Sequence, residues 1–157
     1  LSELRLEGRG LGSPGLDEAT AWVESRFAEI GLQPAGDDGF RQSWSWTGGK
    51  PERLMTLTNL VGRLPGSDPS LANQPVVVLA HLDHLGRGWP DVREGMQGQI
   101  HNGADDNASG IAVLLEMVVF AVLRLRRRTA VAIPGVLWLC LGALLNVVTL
   151  LVRLGQD

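Results

Sequence analysis

At 157 residues, 45% hydrophobic and 20% charged, the chain has room for one domain with a core and does not have the composition of a disordered segment. Its net charge of -3 gives no basic footprint for nucleic acid, and its five tryptophans are not interleaved with lysines and arginines as a base-stacking surface requires. A single cysteine, Cys140, excludes an internal disulfide, reads as a buried thiol among apolar neighbours, and leaves the redox compartment open.

The chain begins with leucine and has no charged n-region or signal-type apolar run at its start, so any targeting segment has been removed or lies outside this sequence. Residues 2–15 are rich in glycine and read as a loop able to lie close to other backbone. Leu16, Ala19, Val23, Phe27 and Ile30 then follow helical spacing with acids between them, and Gly31 supplies a stop. The spacing predicts an amphipathic helix over 16–30. Residues 34–53 read as a loop and hairpin, with Asp38-Gly39 as a turn signal and Phe40, Trp44 and Trp46 alternating along a strand. Residues 54–64 read as a second strand, and 65–75 as a polar turn.

Val76-Val77-Val78-Leu79-Ala80 is wholly apolar and β-branched in the main, the pattern of a strand buried on both faces of a parallel sheet. It ends in His81-Leu82-Asp83-His84, which sets three ionisable side chains at a strand's carboxyl end, where ligands gather in open α/β sheets. Residues 86–102 lack periodicity, and a long loop in this position shapes the pocket, which gives Trp89 and His101 some functional weight. Gly103-Ala104-Asp105-Asp106-Asn107-Ala108-Ser109-Gly110 then puts two adjacent carboxylates immediately before an apolar helix, expected over 107–123. Free N–H groups at that helix start can stabilise Asp105 and Asp106 opposite the histidines, with Asn107 or Ser109 as the cap.

These two turns, in this order, resemble the zinc aminopeptidases of metallopeptidase family 28 over residues 3 to about 119; Glu7, Gly8 and Arg9 match that family's opening Leu-Glu-Gly-Arg loop, and Thr58-Asn59-Leu60-Val61-Gly62 is similar to one of its strands. The resemblance implies an α/β fold with a mixed, mainly parallel sheet flanked by helices in a three-layer sandwich, present here incompletely. It implies a hydrolase, a metallo-exopeptidase that uses two zinc ions to remove N-terminal residues from a peptide substrate. His81 matches a zinc ligand and Asp105 the carboxylate bridging both ions. Asp83 matches the catalytic carboxylate that accepts the other ring N–H of the zinc histidine, and Asp106 the residue joined to the bridging aspartate by a cis peptide. His84 and His101 match no ligand position. Family members are often secreted or periplasmic, and the oligomeric state stays open.

The rest of that family's site has no counterpart. The next strand, expected over 136–141, should end in two glutamates, one a general base and one a ligand, where this chain has Leu144 and Leu145. Residues 1–116 carry 16 acidic and 9 basic residues, whereas 117–157 carry 1 and 5, and no histidine follows His101. Residues 1–119 therefore read as the front half of a zinc-exopeptidase-like domain, and 120–157 as a basic, then apolar tail. Three accounts fit: a truncated or frame-altered family member, a peptidase-like binding or structural module without catalysis, or a membrane-attached one. The last rests on 129–152, which has 24 uncharged residues against the ~20 that span a bilayer, and follows Arg124 and Arg126 to Arg128. A strand followed by a helix of the same domain explains that run equally well. On the donor count, the chain as written is expected to be inactive and to bind zinc weakly if at all.

Overall fold

The computed structural model describes residues 1–71, 73–90, 94–126, 138–142 and 147–152. A 3₁₀ turn, Leu4–Arg9, leads into helix α1, Pro14–Ile30. Sequence dictates both ends of α1: the Ser13 hydroxyl accepts from the Leu16 N–H at 3.2 Å, Pro14 takes the first turn, and Gly31 closes the helix at φ 89 with its N–H on the Ala28 and Phe27 carbonyls. Leu16, Ala19, Val23 and Phe27 are its buried stripe.

Strands β1 (Gln33–Pro34), β2 (Arg41–Gly48) and β3 (Arg53–Leu64) follow, then β4 (Val76–His81), helix α2 (Ser109–Arg126), β5 (Trp138–Gly142) and β6 (Val147–Val152). The sheet order is β1-β3-β6-β4, with β2 paired to β3 and β5 to β6. The class is α/β, but the sheet is not mainly parallel: β3 and β6 run parallel, and every other pair is antiparallel. Connection length explains two of these pairs, β2–β3 and β5–β6. A parallel pair needs a crossover of a dozen or more residues, whereas β2 reaches β3 through residues 49–52 and β5 reaches β6 through 143–146.

Leu57, Leu60, Leu64, Ala80 and Leu82 form one core with Val23 and Phe27 of α1 and Ile111, Leu114, Val118 and Val122 of α2. Phe27 meets Phe40 edge to face, centroids 5.7 Å apart. Strand β4 departs from the expected burial on both faces: Ala80 is buried and Val78 packs on the core, while Val77 and Leu79 are 47% and 59% exposed. Both helices join the same core, so only one side of β4 is covered, and a third layer is absent among the described residues. By length and composition, Ala104–Leu125 is apolar enough to cross a membrane. Its inner stripe belongs to this core; its outer side exposes Val113, Met117, Phe120 and Leu123 beside Glu116.

Of the apolar run 129–152, the described parts are strands β5 and β6. Leu144 and Leu145 lie outside the described residues, as does the side chain of Cys140.

Candidate functional site

Strand β4 ends at His81, and the backbone then turns through Leu82, Asp83 and His84. The acidic turn, Ala104–Ala108, precedes α2, whose entry is held by the Asn107 side-chain carbonyl accepting from the Gly110 N–H at 3.2 Å. These two turns meet. His81 Nε2 lies 2.7 Å from Asp106 Oδ1, and His84 Nδ1 lies 3.5 Å from Asp106 Oδ2.

The carboxylate brought to the histidines is thus that of Asp106, not Asp105 as the motif match implied. Asp105 is exposed, and its carbonyl accepts the Ser109 hydroxyl at 2.8 Å. The cis peptide joins Asp106 to Asn107, one residue beyond the expected place. Asp105 and Asp106 are chemically identical neighbours, both exposed, and backbone direction decides which one meets the histidines: Asp106 leaves helical geometry at φ -111, ψ 87.

Asp83 is buried beside the ring, but the hydrogen-bond acceptor is its backbone carbonyl rather than the carboxylate that the resemblance implies. His81 Nδ1 lies 3.0 Å from the Asp83 backbone carbonyl and 3.6 Å from Asp83 Oδ1, which is buried and has no hydrogen-bond partner. A carbonyl can only accept, so Nδ1 carries a proton, and the carboxylate of Asp106 favours a proton on Nε2 as well. The neighbouring Asp83 carboxylate raises the His81 imidazole above its ordinary value, with the Asp83 carbonyl and the Asp106 charge adding and burial opposing. Burial instead pushes His84 down, against the pull of Asp106.

The two turns are held together by a residue to which sequence reasoning gave no role. Arg9 is fully buried. Its guanidinium donates to the carbonyls of Leu82 (2.7 Å), Asn102 (2.8 Å), Gly103 (2.8 Å) and Leu1. Its own carbonyl accepts the His84 N–H at 3.1 Å, and the Gly8 carbonyl accepts that of Gly86 at 3.1 Å. The His101 N–H closes the ladder on the Gly86 carbonyl at 2.9 Å. Three consecutive residues, Glu7, Gly8 and Arg9, adopt left-handed backbone (φ 47, 70 and 51) to turn the arginine inward. Gly8 is required there: a Cβ would fall 2.1 Å from the His101 carbonyl oxygen. Above this layer, Glu7 pairs with Arg87 at 2.6 Å. Burial pushes the guanidinium of Arg9 below its ordinary value, opposed by the charges of Asp83 and Asp106.

His101 and Trp89 do not join the cluster. The His101 ring lies 3.3 Å from the Met96 carbonyl, and Trp89 packs on the β2–β3 hairpin, edge-on to Trp46, under Arg53, with its N–H on the Pro51 carbonyl at 3.0 Å. Between β4 and the start of α2 lies a shallow apolar pocket of about 340 Å³, bordered by Leu79, Ala80, Asn107, Val113 and Met117.

The donor types at the turns, imidazole and carboxylate, are those that zinc takes. Their arrangement does not fit the zinc pair that the resemblance implies. Among the described residues no group of three or more His, Cys, Asp or Glu side chains is placed to hold a metal ion, and His81 spends Nε2 on Asp106.

Residues 59–132 match peptidase family M28. A zebrafish (Danio rerio) protein, BOS complex subunit ncln, is 35% identical over 107 residues, which is 67% of this chain and 17% of that protein. The chain therefore spans about a sixth of the length of this curated relative.

Proposed function

We propose, for a chain that carries a partial segment of peptidase family M28, that it serves as a peptidase-like binding module and that these 157 residues alone do not hydrolyse peptides. The observation that carries this reading is the donor count. Of the five side chains that two co-catalytic zinc ions use in the family it resembles, only a histidine, His81, and one carboxylate of the acidic turn, Asp106, have counterparts here. After Glu116 the chain has a single acid, Asp157, and Glu116 itself lies on the exposed side of α2. Among the described residues the carboxylates placed beside His81 are those of Asp83 and Asp106, both facing its ring nitrogens, and general-base catalysis is typically worth about 10²–10⁴-fold.

In this reading the site keeps the frame of a zinc aminopeptidase centre without its chemistry. The apolar pocket beside Asn107 would take an uncharged side chain of a bound segment, and the uncovered side of β4 with the outer side of α2 would meet partner protein. The name of the zebrafish relative makes that protein a subunit of a complex, which supports a role in an assembly for this module.

The test is zinc titration calorimetry and leucine p-nitroanilide hydrolysis on the purified chain, beside a His81→Ala control. The expected result is weak or absent zinc uptake and no turnover above background. Turnover that zinc supports and His81→Ala abolishes would establish aminopeptidase activity instead.

A further inference from the structure

We infer that Arg9 is the positioning residue of the two-turn site: a buried cation from the opening loop that sets the separation of the His81 and Asp106 turns and supplies the charge against which their carboxylates are held. The inference holds whether or not the site turns over a peptide. Three features of the structure carry it.

The first is the spread of its acceptors. One guanidinium bonds Leu82, between His81 and Asp83, and also Asn102 and Gly103, the two residues directly before the acidic turn. The planar fork fixes the distance between both groups, which a lysine, with one nitrogen on a flexible stem, cannot do. The second is charge. All four acceptors are carbonyls, so no hydrogen-bonded carboxylate neutralises the cation, and the acids that feel it are Asp83 and Asp106. Asp83 has a buried oxygen without a hydrogen-bond partner, a state that a nearby buried cation makes tolerable. The third is backbone. Left-handed φ at Glu7 and Arg9 is strained for residues that carry a Cβ, and such strain persists where surrounding contacts fix it and clusters at functional sites.

The experiment compares the full chain with Arg9→Lys, Arg9→Ala and a control on β3, Arg63→Ala, by amide hydrogen exchange and by the ring NMR signals of His81 and His84. In Arg9→Lys, amides of α1 and of the β2–β3 hairpin should keep their rates. Those of His84 and Ala108, which donate to the Arg9 and Gly103 carbonyls, should exchange about tenfold faster or more, and the His81 ring signals should move. Guanidinium ion, added far below denaturing concentrations, should restore the wild-type signals to Arg9→Ala but not to the lysine variant. If Arg9→Ala fails to fold, the lysine variant decides alone. Unchanged rates and ring signals in Arg9→Lys overturn the inference, and so does loss of protection throughout that variant, which would make Arg9 a support of the whole fold rather than of the site.

Discussion

Replacing Gly8 by alanine sets a methyl where the His101 carbonyl now stands, and the size of the penalty separates two contributions that a glycine in left-handed backbone normally confounds. Gly39 provides the internal standard: its φ of 60 is similar to the 70 of Gly8, but a Cβ there meets nothing within 4 Å. Gly39→Ala should thus show the conformational cost alone, about 1–2 kcal/mol. Gly8→Ala should show that cost together with the contact at 2.1 Å, which is with backbone and cannot be relieved by a rotamer change. Moving the His101 carbonyl strains its own N–H bond to Gly86 and the neighbouring Asn102 carbonyl on Arg9; at about 1 kcal/mol for the first and 1.5–3 for the charged one, the total comes to about 3–6 kcal/mol. In urea unfolding, with a slope of about 2 kcal/mol/M, Gly39→Ala should lower the midpoint by about 0.5–1 M and Gly8→Ala by about 1.5–3 M, or leave that variant unfolded. Equal midpoints for the two variants would refute the claim that the opening loop is pressed against the turn before Gly103.

Phe27→Ala, which empties the centre of the α1 contact with Phe40 and the sheet, should cost about 3–5 kcal/mol by the same assay, whereas loss of less than about 1 kcal/mol would mean that α1 is not seated as described. Because Asp83 and Asp106 raise the His81 imidazole, folding there favours proton uptake. His81 adds stability that is fully present below its unfolded value of about 6.5 and is lost as pH rises through its higher folded value. Between pH 5.5 and 8 the wild-type chain should therefore lose stability relative to His81→Ala, and parallel curves for the two proteins would contradict the placement of the imidazole beside Asp83 and Asp106.

Helix α1 and the two chemical turns were legible because they carry local signals: helical spacing from Leu16 to Ile30 with Gly31 after it, an apolar strand ending in His81, and acids directly before an apolar helix; the start of α1 at Ser13-Pro14 was read as loop. What was not legible depends on long-range or conformational choices. Asp105 and Asp106 cannot be told apart by type. The direction of the sheet depended on β6, a second strand where the apolar run had read as one strand followed by a helix or as a span, and the exposure of Val77 and Leu79 depended on which side of β4 the helices chose. Arg9 left only a faint mark, an arginine in a glycine-rich loop, because its four acceptors are backbone carbonyls and impose no residue type on Leu82, Asn102 or Gly103. The run of glycines signals close backbone approach without saying to what, and the likeness of Glu7-Gly8-Arg9 to the family's opening loop marks the arginine without giving its partners.

The hydrogen bonds of Arg9 also impose an order in time. Apart from Leu1, its partners lie 73, 93 and 94 residues further along the chain, so during synthesis the arginine emerges long before the residues of both turns. Contacts of such separation must close large loops before they return any stabilisation, which places them late in folding, after α1 and the β2–β3 hairpin have formed from near neighbours. Until the turn before α2 is in place, the guanidinium stays in water and the His81 turn has no counterpart. The two turns therefore come into register only when the opening segment and the start of α2 are both available, and the appearance of slowly exchanging amides at His84 and Ala108 would time the last step of assembly.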